Sequence, residues 1–387
     1  VGIMHERLVA WLDSAIAAGR LSGLGVRLYG PLAAFPFDNG AGLFDLQARL
    51  ADVDFRFNPE WAPFRDADAL LRFRNRGLLI EAQRGRIDGV ALTGATARVA
   101  DLWAPQLEIE AALTGPLGRM AAVVRDGPLL RRARLPEELR WDGDGRLDLA
   151  LTFPFAGRAP QVAGTLALAG ASLAVPDSAF ALTDITGNVA FDDTGVRWDG
   201  LRARHAGRPI IAQARTEGTG EAARIRIDAT GVRGAADWPG LARLAPYTHG
   251  ETRWRLRWVQ PGFPALAAGR VAPAELSVRS ELAGVAIDAP FGLAKAADSS
   301  RALRFVWRRE AGQTIHTELD YGRRLRVRGE HDANGQGRLA VHFGGTTPAL
   351  PERPITVVSG RLPLLRLADL RLPTAGDGQT GFSLPPV

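Results

Sequence analysis

Arg253-Trp-Arg-Leu-Arg-Trp-Val259 sets a cation against an apolar side chain at almost every step. Successive side chains of a β-strand point to opposite faces. Read as a strand, the stretch has a greasy face of Trp254, Leu256 and Trp258 and a wet face of arginines. A helix with this pattern would scatter its arginines all round, so the period of two decides for strand. The same period recurs in Leu147-Asp-Leu-Ala-Leu-Thr-Phe153, Arg224-Ile-Arg-Ile-Asp228, Leu325-Arg-Val-Arg328 and Leu339-Ala-Val-His-Phe343.

Outward from residue 253 the pattern continues in both directions. Toward the C-terminus it predicts strands over 275–280, 284–288, 302–308, 313–320, 323–330 and 337–343. Toward the N-terminus it predicts them over 223–229, 209–215, 196–204, 187–191, 162–168 and 146–153. Shorter runs follow at Leu107–Ile109, Leu78–Ile80, Leu71–Phe73, Val53–Phe57, Leu46–Leu50 and Val26–Leu28. Breaks between runs carry turn chemistry: Asp192-Asp-Thr-Gly195, Asp88-Gly89, Arg84-Gly85, Asn75-Arg-Gly77 and Pro36-Phe-Asp-Asn-Gly40.

Strands in series joined by short turns are antiparallel neighbours, and the lack of long helical crossovers excludes a parallel α/β sheet. The fold class expected is all-β with a few short helices. So many strands in one sheet must curl, split or close.

Three helices are expected. Residues 3–18 place Ile3, Leu8, Trp11, Leu12, Ala15 and Ile16 at helical spacing, with Gly19 as a stop. Residues 116–131 and 236–245 read as short helices. The organisation is then an amphipathic helix over 1–20, β segments over 21–115, 145–235 and 251–370, and helical connections over 116–144 and 236–250. Residues 371–387 read as a linker-like tail.

The chain has 387 residues, 46% hydrophobic and 23% charged, which is the composition of a folded protein and not of a disordered one. Cysteine is absent, which removes disulfides, thiol catalysis and zinc–cysteinate sites together. Net charge is +6, and Lys295 is the sole lysine. The arginines alternate with Asp and Glu and form no basic block, so nucleic acid is not an expected partner. No apolar run approaches the roughly 20 residues that span a bilayer. The chain begins at Val1 and reads as an internal segment of a longer protein.

No catalytic set is visible. His5, His205, His249, His316, His331 and His342 lack partners at metal-ligand spacing, and His316 and His342 fall on the polar phase of their strands. There is no Gly-x-Ser-x-Gly elbow and no phosphate-binding loop. Asp142/Asp144 and Asp192/Asp193 sit in Asp-Gly turn contexts, where Asp serves the backbone. No enzyme activity, cofactor or metal is expected.

The aromatic residues Phe55, Phe57, Phe73, Phe153, Phe191, Trp254, Trp258, Phe305, Trp307 and Phe343 all fall on the apolar phase. Pattern alone leaves two readings open: the closed core of a structural or scaffolding envelope β protein, or the wall of a lipid groove. Each methylene of an acyl chain gains about 0.8 kcal/mol by leaving water, so a long apolar wall is a strong lipid shelter.

Several stretches carry a resemblance. They include Trp11-Leu-Asp-Ser-Ala-Ile-Ala-Ala-Gly19, Gly30-Pro-Leu-Ala-Ala-Phe-Pro-Phe37, Gly42-Leu-Phe44 and Phe55-Arg-Phe-Asn-Pro-Glu-Trp-Ala-Pro63. Leu70, Phe73, Leu78-Leu-Ile-Glu-Ala82 and Gly85 follow. Later come Leu276-Ser-Val-Arg-Ser-Glu-Leu-Ala-Gly-Val-Ala-Ile-Asp-Ala-Pro290, Gly292-Leu-Ala-Lys295, Tyr321-Gly322 and Leu350-Pro351. Their order and spacing resemble the YhdP family, large AsmA-like (DUF3971-type) envelope proteins of Gram-negative bacteria. Ala62 and Ala289 depart from the family's usual Trp-Pro and Leu-Pro at these places.

The resemblance implies an elongated, curled, mainly antiparallel sheet forming a taco-like trough with an apolar inner face. It implies a periplasmic protein anchored to the inner membrane, reaching toward the outer membrane and moving phospholipid to support the outer-membrane barrier. Phospholipid acyl chains and the two membranes are then the partners.

On that reading the lining of the first half falls on Phe55, Phe57, Phe73, Ile80, Leu107 and Ile109, then Leu149, Leu151, Phe153, Leu166, Leu168 and Phe191. In the second half it falls on Ile225, Ile227, Trp254, Leu256, Trp258 and Leu276, then Val278, Phe305, Trp307, Val327, Val341 and Phe343.

Overall fold

The computed structural model describes residues 14, 16–37, 40–56, 62–104, 106–126, 139–154, 159–176, 180–234, 246–264, 273–311, 313–332 and 335–362. Phe57, the expected helix over 236–245 and the tail beyond Leu370 lie outside these residues. So does nearly all of the expected helix over 3–18, but Ile16–Ala18 at its end are strand. The chain divides into two compact units, residues 1–174 with 184–196, and residues 175–183 with 197–387.

In the first unit the strands are β1 (Ile16–Tyr29), β2 (Leu43–Phe55), β3 (Phe64–Arg74), β4 (Gly77–Ile87) and β5 (Val90–Val99). Then come β6 (Gln106–Pro116), β7 (Arg140–Asp142), β8 (Asp144–Pro154) and β9 (Gln161–Ala174). Most of β10 (Ala181–Asp192) also belongs here. Each strand of β1–β6 pairs antiparallel with the next, and β8 lies between β6 and β9. Between β6 and β7 runs α1 (Leu117–Asp126), within the helix expected over 116–131, of which 127–131 lie outside the described residues.

The second unit holds β11 (Val196–His205), β12 (Arg208–Glu217), β13 (Arg224–Gly234), β14 (Thr248–Pro261), β15 (Ala274–Ser280) and β16 (Val285–Ile287). They are followed by β17 (Leu303–Arg309), β18 (Ile315–Tyr321), β19 (Leu325–His331), β20 (Gly337–Phe343) and β21 (Thr356–Gly360). All these pairings are antiparallel except β20–β21, which is parallel. The expected class is what the structure has: all-β, mainly antiparallel and not closed into a barrel.

Turn chemistry explains the tight connections. Asp88 and Gly89 both have positive φ, 46° and 83°, and join β4 to β5 with two residues. Such left-handed pairs match the twist of the flanking strands. Asp192 accepts hydrogen bonds from the backbone N–H groups of Thr194 and Gly195 at 2.8 and 2.9 Å, which makes the expected turn.

Two expectations fail locally. Arg84-Gly85 is not a turn but the interior of β4, where Gly85 is buried against Ala67. A β-carbon there would lie 3.4 Å from that of Ala67, so glycine serves close packing and not reversal. Strand β5 escapes the sequence pattern because a bulge between Leu92 and Gly94 shifts its phase, and its apolar side then carries Ala95 and Ala97.

Candidate functional site

Register converts the apolar phases into continuous rows that cross the strands. In the first unit Leu46, Phe73, Leu78, Val99, Leu107 and Phe153 are successive cross-strand partners. The next row is Ala48, Leu71, Ile80, Ala97, Ile109, Leu151 and Val162. A third runs Leu50, Ala69, Ala82, Ala95, Ala111, Leu149 and Gly164. Leu92, Leu113, Leu147 and Leu166 form a fourth.

The third row is the informative one. Ala69, Ala82, Ala95 and Ala111 stand in register on β3–β6, flanked by Leu71, Ile80, Ala97 and Ile109 on one side and by Leu92 and Leu113 of β5 and β6 on the other. Strands are about 4.8 Å apart, so the small side chains make a strip about 14 Å long, one side chain lower than its banks. Ala69, Ala82 and Ala95 are half-buried, as are Ile80 and Ile109 beside them. The middle rows are buried at Ala48, Ala111 and Leu151, and the apolar surface is also sealed at the strand ends. At one end Leu102 packs with Leu78, Val99 and Leu107, all no more than 2% exposed. At the other, Leu117 and Met120 of α1 are buried with Ile87 and Val90.

Phe73, Ile80, Leu107, Ile109, Leu149, Leu151, Phe153, Leu166 and Leu168 therefore share one face. Phe191 joins them, since a β-carbon on Gly164 would meet its ring. Phe55 lies past the irregular end of the β2–β3 ladder, opposite Phe64. Phe57 is outside the described residues.

The second unit repeats the device with larger side chains. Ala214, Ile227, Trp258, Leu276 and Trp307 are successive partners. So are Ala229, Leu256, Val278, Phe305, Leu319, Val327 and Val341. A third row contains Trp254, and Phe343 ends it opposite Leu325. Ile225 shares the face beyond Ile227, opposite Gln260. Trp258 and Trp307 stack at 5.8 Å with ring planes 15° apart.

One strand end of this face is filled by residues 281–302. Lys295, 5% exposed, donates from Nζ to the carbonyls of Val285 and Ala296 at 2.8 Å each. Burial pushes its ammonium below the ordinary lysine range, and Arg301 adds to the effect. Tyr321 donates from its hydroxyl to the Leu293 carbonyl at 2.8 Å and accepts from Arg301. His205, buried on the same side, contacts Arg233 Nη2 through Nε2 at 2.7 Å.

The opposite faces are charged, and many of their groups pair with one another. Asp45 takes two hydrogen bonds from Arg72, at 3.0 and 3.2 Å, and these hold its carboxyl below the usual range. Burial raises the Asp228 carboxyl, but hydrogen bonds from Arg257 and Arg226 outweigh it and leave it low. His316 sits between Glu310 and Glu330 on this face, and His342 is also on it. Among the described residues no group of three or more His, Asp or Glu side chains could hold a metal ion. No described helix is long and apolar enough to cross a membrane.

Sequence reasoning thus found the bulky banks and missed the alanine floor, because alanine is neutral in a hydrophobic alternation. The in-register recurrence of Ala at 69, 82, 95 and 111, once per strand, is the signal that could have found it.

No solved structure matches this chain. An Escherichia coli (strain K12) protein described as intermembrane phospholipid transporter YhdP is 25% identical over 230 residues. That match takes in 59% of this chain but only 18% of the relative's length. The family described as YhdP protein matches residues 1–377. With the resemblance of the motifs and this match over almost its whole length, the chain belongs to the YhdP family.

Proposed function

We propose that this chain is a segment of a bridge-like phospholipid carrier. Its apolar sheet faces hold acyl chains as the lipid passes between inner and outer membrane, and in doing so it supports the outer-membrane barrier. The observation that carries this reading is the alanine strip. A closed core fills every row with interlocking bulk. Here small side chains in register leave a trench that is half-buried at Ala69, Ala82 and Ala95 and closed over at Ala111. The banks named above, from Phe73 to Leu166 in one unit and from Ile227 to Val341 in the other, are then the lining. The likeness to the Escherichia coli intermembrane phospholipid transporter supports phospholipid as the cargo. The periplasm, with an inner-membrane anchor on the longer protein, is the location the reading requires.

The test is extraction. The chain is purified from bacterial membranes alongside a soluble β protein of similar size, and both are extracted with organic solvent. Phospholipid recovered with this chain at near-stoichiometric amounts is the expected result. Recovery no higher than the control removes the carrier reading in favour of a structural envelope protein.

A further inference from the structure

Several arginines on the charged faces are matched to carboxylates. From β17, Arg308 meets Glu275 at 2.8 Å and Arg304 meets Glu318 at 3.3 Å, and from β20 Arg338 meets Glu330 at 2.8 Å. Arg309 differs in its face and its neighbours. It ends β17 two residues beyond Trp307, so its side chain leaves the strand on the apolar face. Its cross-strand partners are Ala274 and Ile315. The guanidinium folds over the Trp307 ring, with its carbon 5.9 Å from the ring centre. Its Nε is buried and donates to nothing. Among the described residues no carboxylate pairs with it. Nor can the β14–β15 connection supply one, because residues 262–273 contain no Asp or Glu. The adjacent Glu310 is engaged with His316.

A half-buried cation with an orphaned donor is costly to hold and calls for an explanation. The missing group is an anion that arrives with apolar material, since the site lies at the margin of the Trp258–Leu276–Trp307 row. A phosphodiester has two adjacent non-bridging oxygens, which match the two Nη groups of a guanidinium as a fork, and it is these that an incoming anion reaches, since Nε is buried. We propose that Arg309 binds the phosphate of a diacyl phospholipid whose tails lie on that row. Arg309 thereby orients the lipid in the second unit and rejects lipids without phosphate. This deepens the carrier reading above and rests on it.

The experiment uses the full chain, freed of lipid and incubated with vesicles holding equal amounts of phosphatidylglycerol and diacylglycerol of the same acyl composition. The protein is re-isolated and its bound lipid quantified by mass spectrometry. Wild type should retain phosphatidylglycerol over diacylglycerol by about tenfold, the value of one charge-assisted contact. Arg309→Gln and Arg309→Met should bring the ratio to near one while total lipid stays comparable. Arg308→Gln, on the opposite face, should leave it unchanged. Arg309→Met also removes an unpaired half-buried charge, so without lipid it should melt no lower than wild type.

If wild type takes up neither lipid, the carrier reading falls. If it takes up both equally, or if its preference survives in folded Arg309→Gln or Arg309→Met, the headgroup role of Arg309 is wrong and the carrier reading stands. A large drop in melting temperature for both variants would make Arg309 structural and also overturn its role.

Discussion

Trp254 on β14 lays its indole across Gly231, its partner on β13, so closely that a β-carbon on Gly231 would fall 2.8 Å from Trp254 Cζ2. The absent side chain is what lets the ring lie flat over the neighbouring strand. Gly231→Ala should therefore lift the indole and destabilise the second unit by about 1–3 kcal/mol, the usual penalty of overpacking. Thermal melting followed by tryptophan emission would register it as a lower midpoint and an altered emission maximum. An unchanged midpoint would mean that the indole has room elsewhere.

The alanine strip gives a steric test that adds no charge. Ala95→Trp should fill the trench midway along β5 and lower the phospholipid recovered per protein at least severalfold. Thr96→Trp, the next residue and on the opposite face, should not. Equal recovery from the two variants would show that cargo does not use this row.

Asp45 gives the first unit an acid limb. Arg72 depresses its carboxyl below the 3.8 of an unperturbed aspartate. A carboxyl lowered in the folded state contributes stability above the unfolded value and loses it as pH falls through the folded one. Asp45→Asn should accordingly lose less stability than wild type when pH is taken from 7 to below 3.8. Urea midpoints across that range measure it, and parallel curves for the two proteins would refute it.

Lys295 is both strained by burial and needed by its acceptors. Lys295→Met should orphan the carbonyls of Val285 and Ala296 and destabilise by about 1–3 kcal/mol at neutral pH. The difference from wild type should widen as pH approaches 10.5, the unperturbed lysine value. This sign follows because a lysine with a lowered folded pKa gives its stabilisation back on protonation. The check is the midpoint difference at pH 7 and pH 10. A constant difference would show that the ammonium is not destabilised by burial.

The legible part of the fold was the part written in bulk. Trp254, Leu256 and Trp258 announce their strand because large apolar residues alternate with arginine. The apolar face follows from that alternation alone, and the register adds only which residues become neighbours. β5 was illegible because its signal is spread over Ala, Gly and Thr and broken by a bulge. The sealing roles of Leu102 and of Leu117 and Met120, the latter two on a helix that the sequence did predict, were illegible for another reason. Their burial depends on strands far away in sequence, and nothing local marks it. Arg309 has no local mark, since Arg-Arg-Glu at a strand end looks like any surface turn.

The alternation of sealed ends has a further consequence for how such a chain is built. In the first unit the β5–β6 connection with Leu102 closes one margin, and the β6–β7 connection with α1 closes the other. Odd and even connections thus serve different margins. Insertion or loss of one hairpin lengthens or shortens the wall by two strand spacings, about 10 Å, and returns every later plug to its own side. Loss of one strand turns the remainder end for end and sends each plug to the wrong margin. Length in this architecture is therefore quantised in hairpins, and an allele that drops an odd number of strands should fail to fold where one that drops an even number survives.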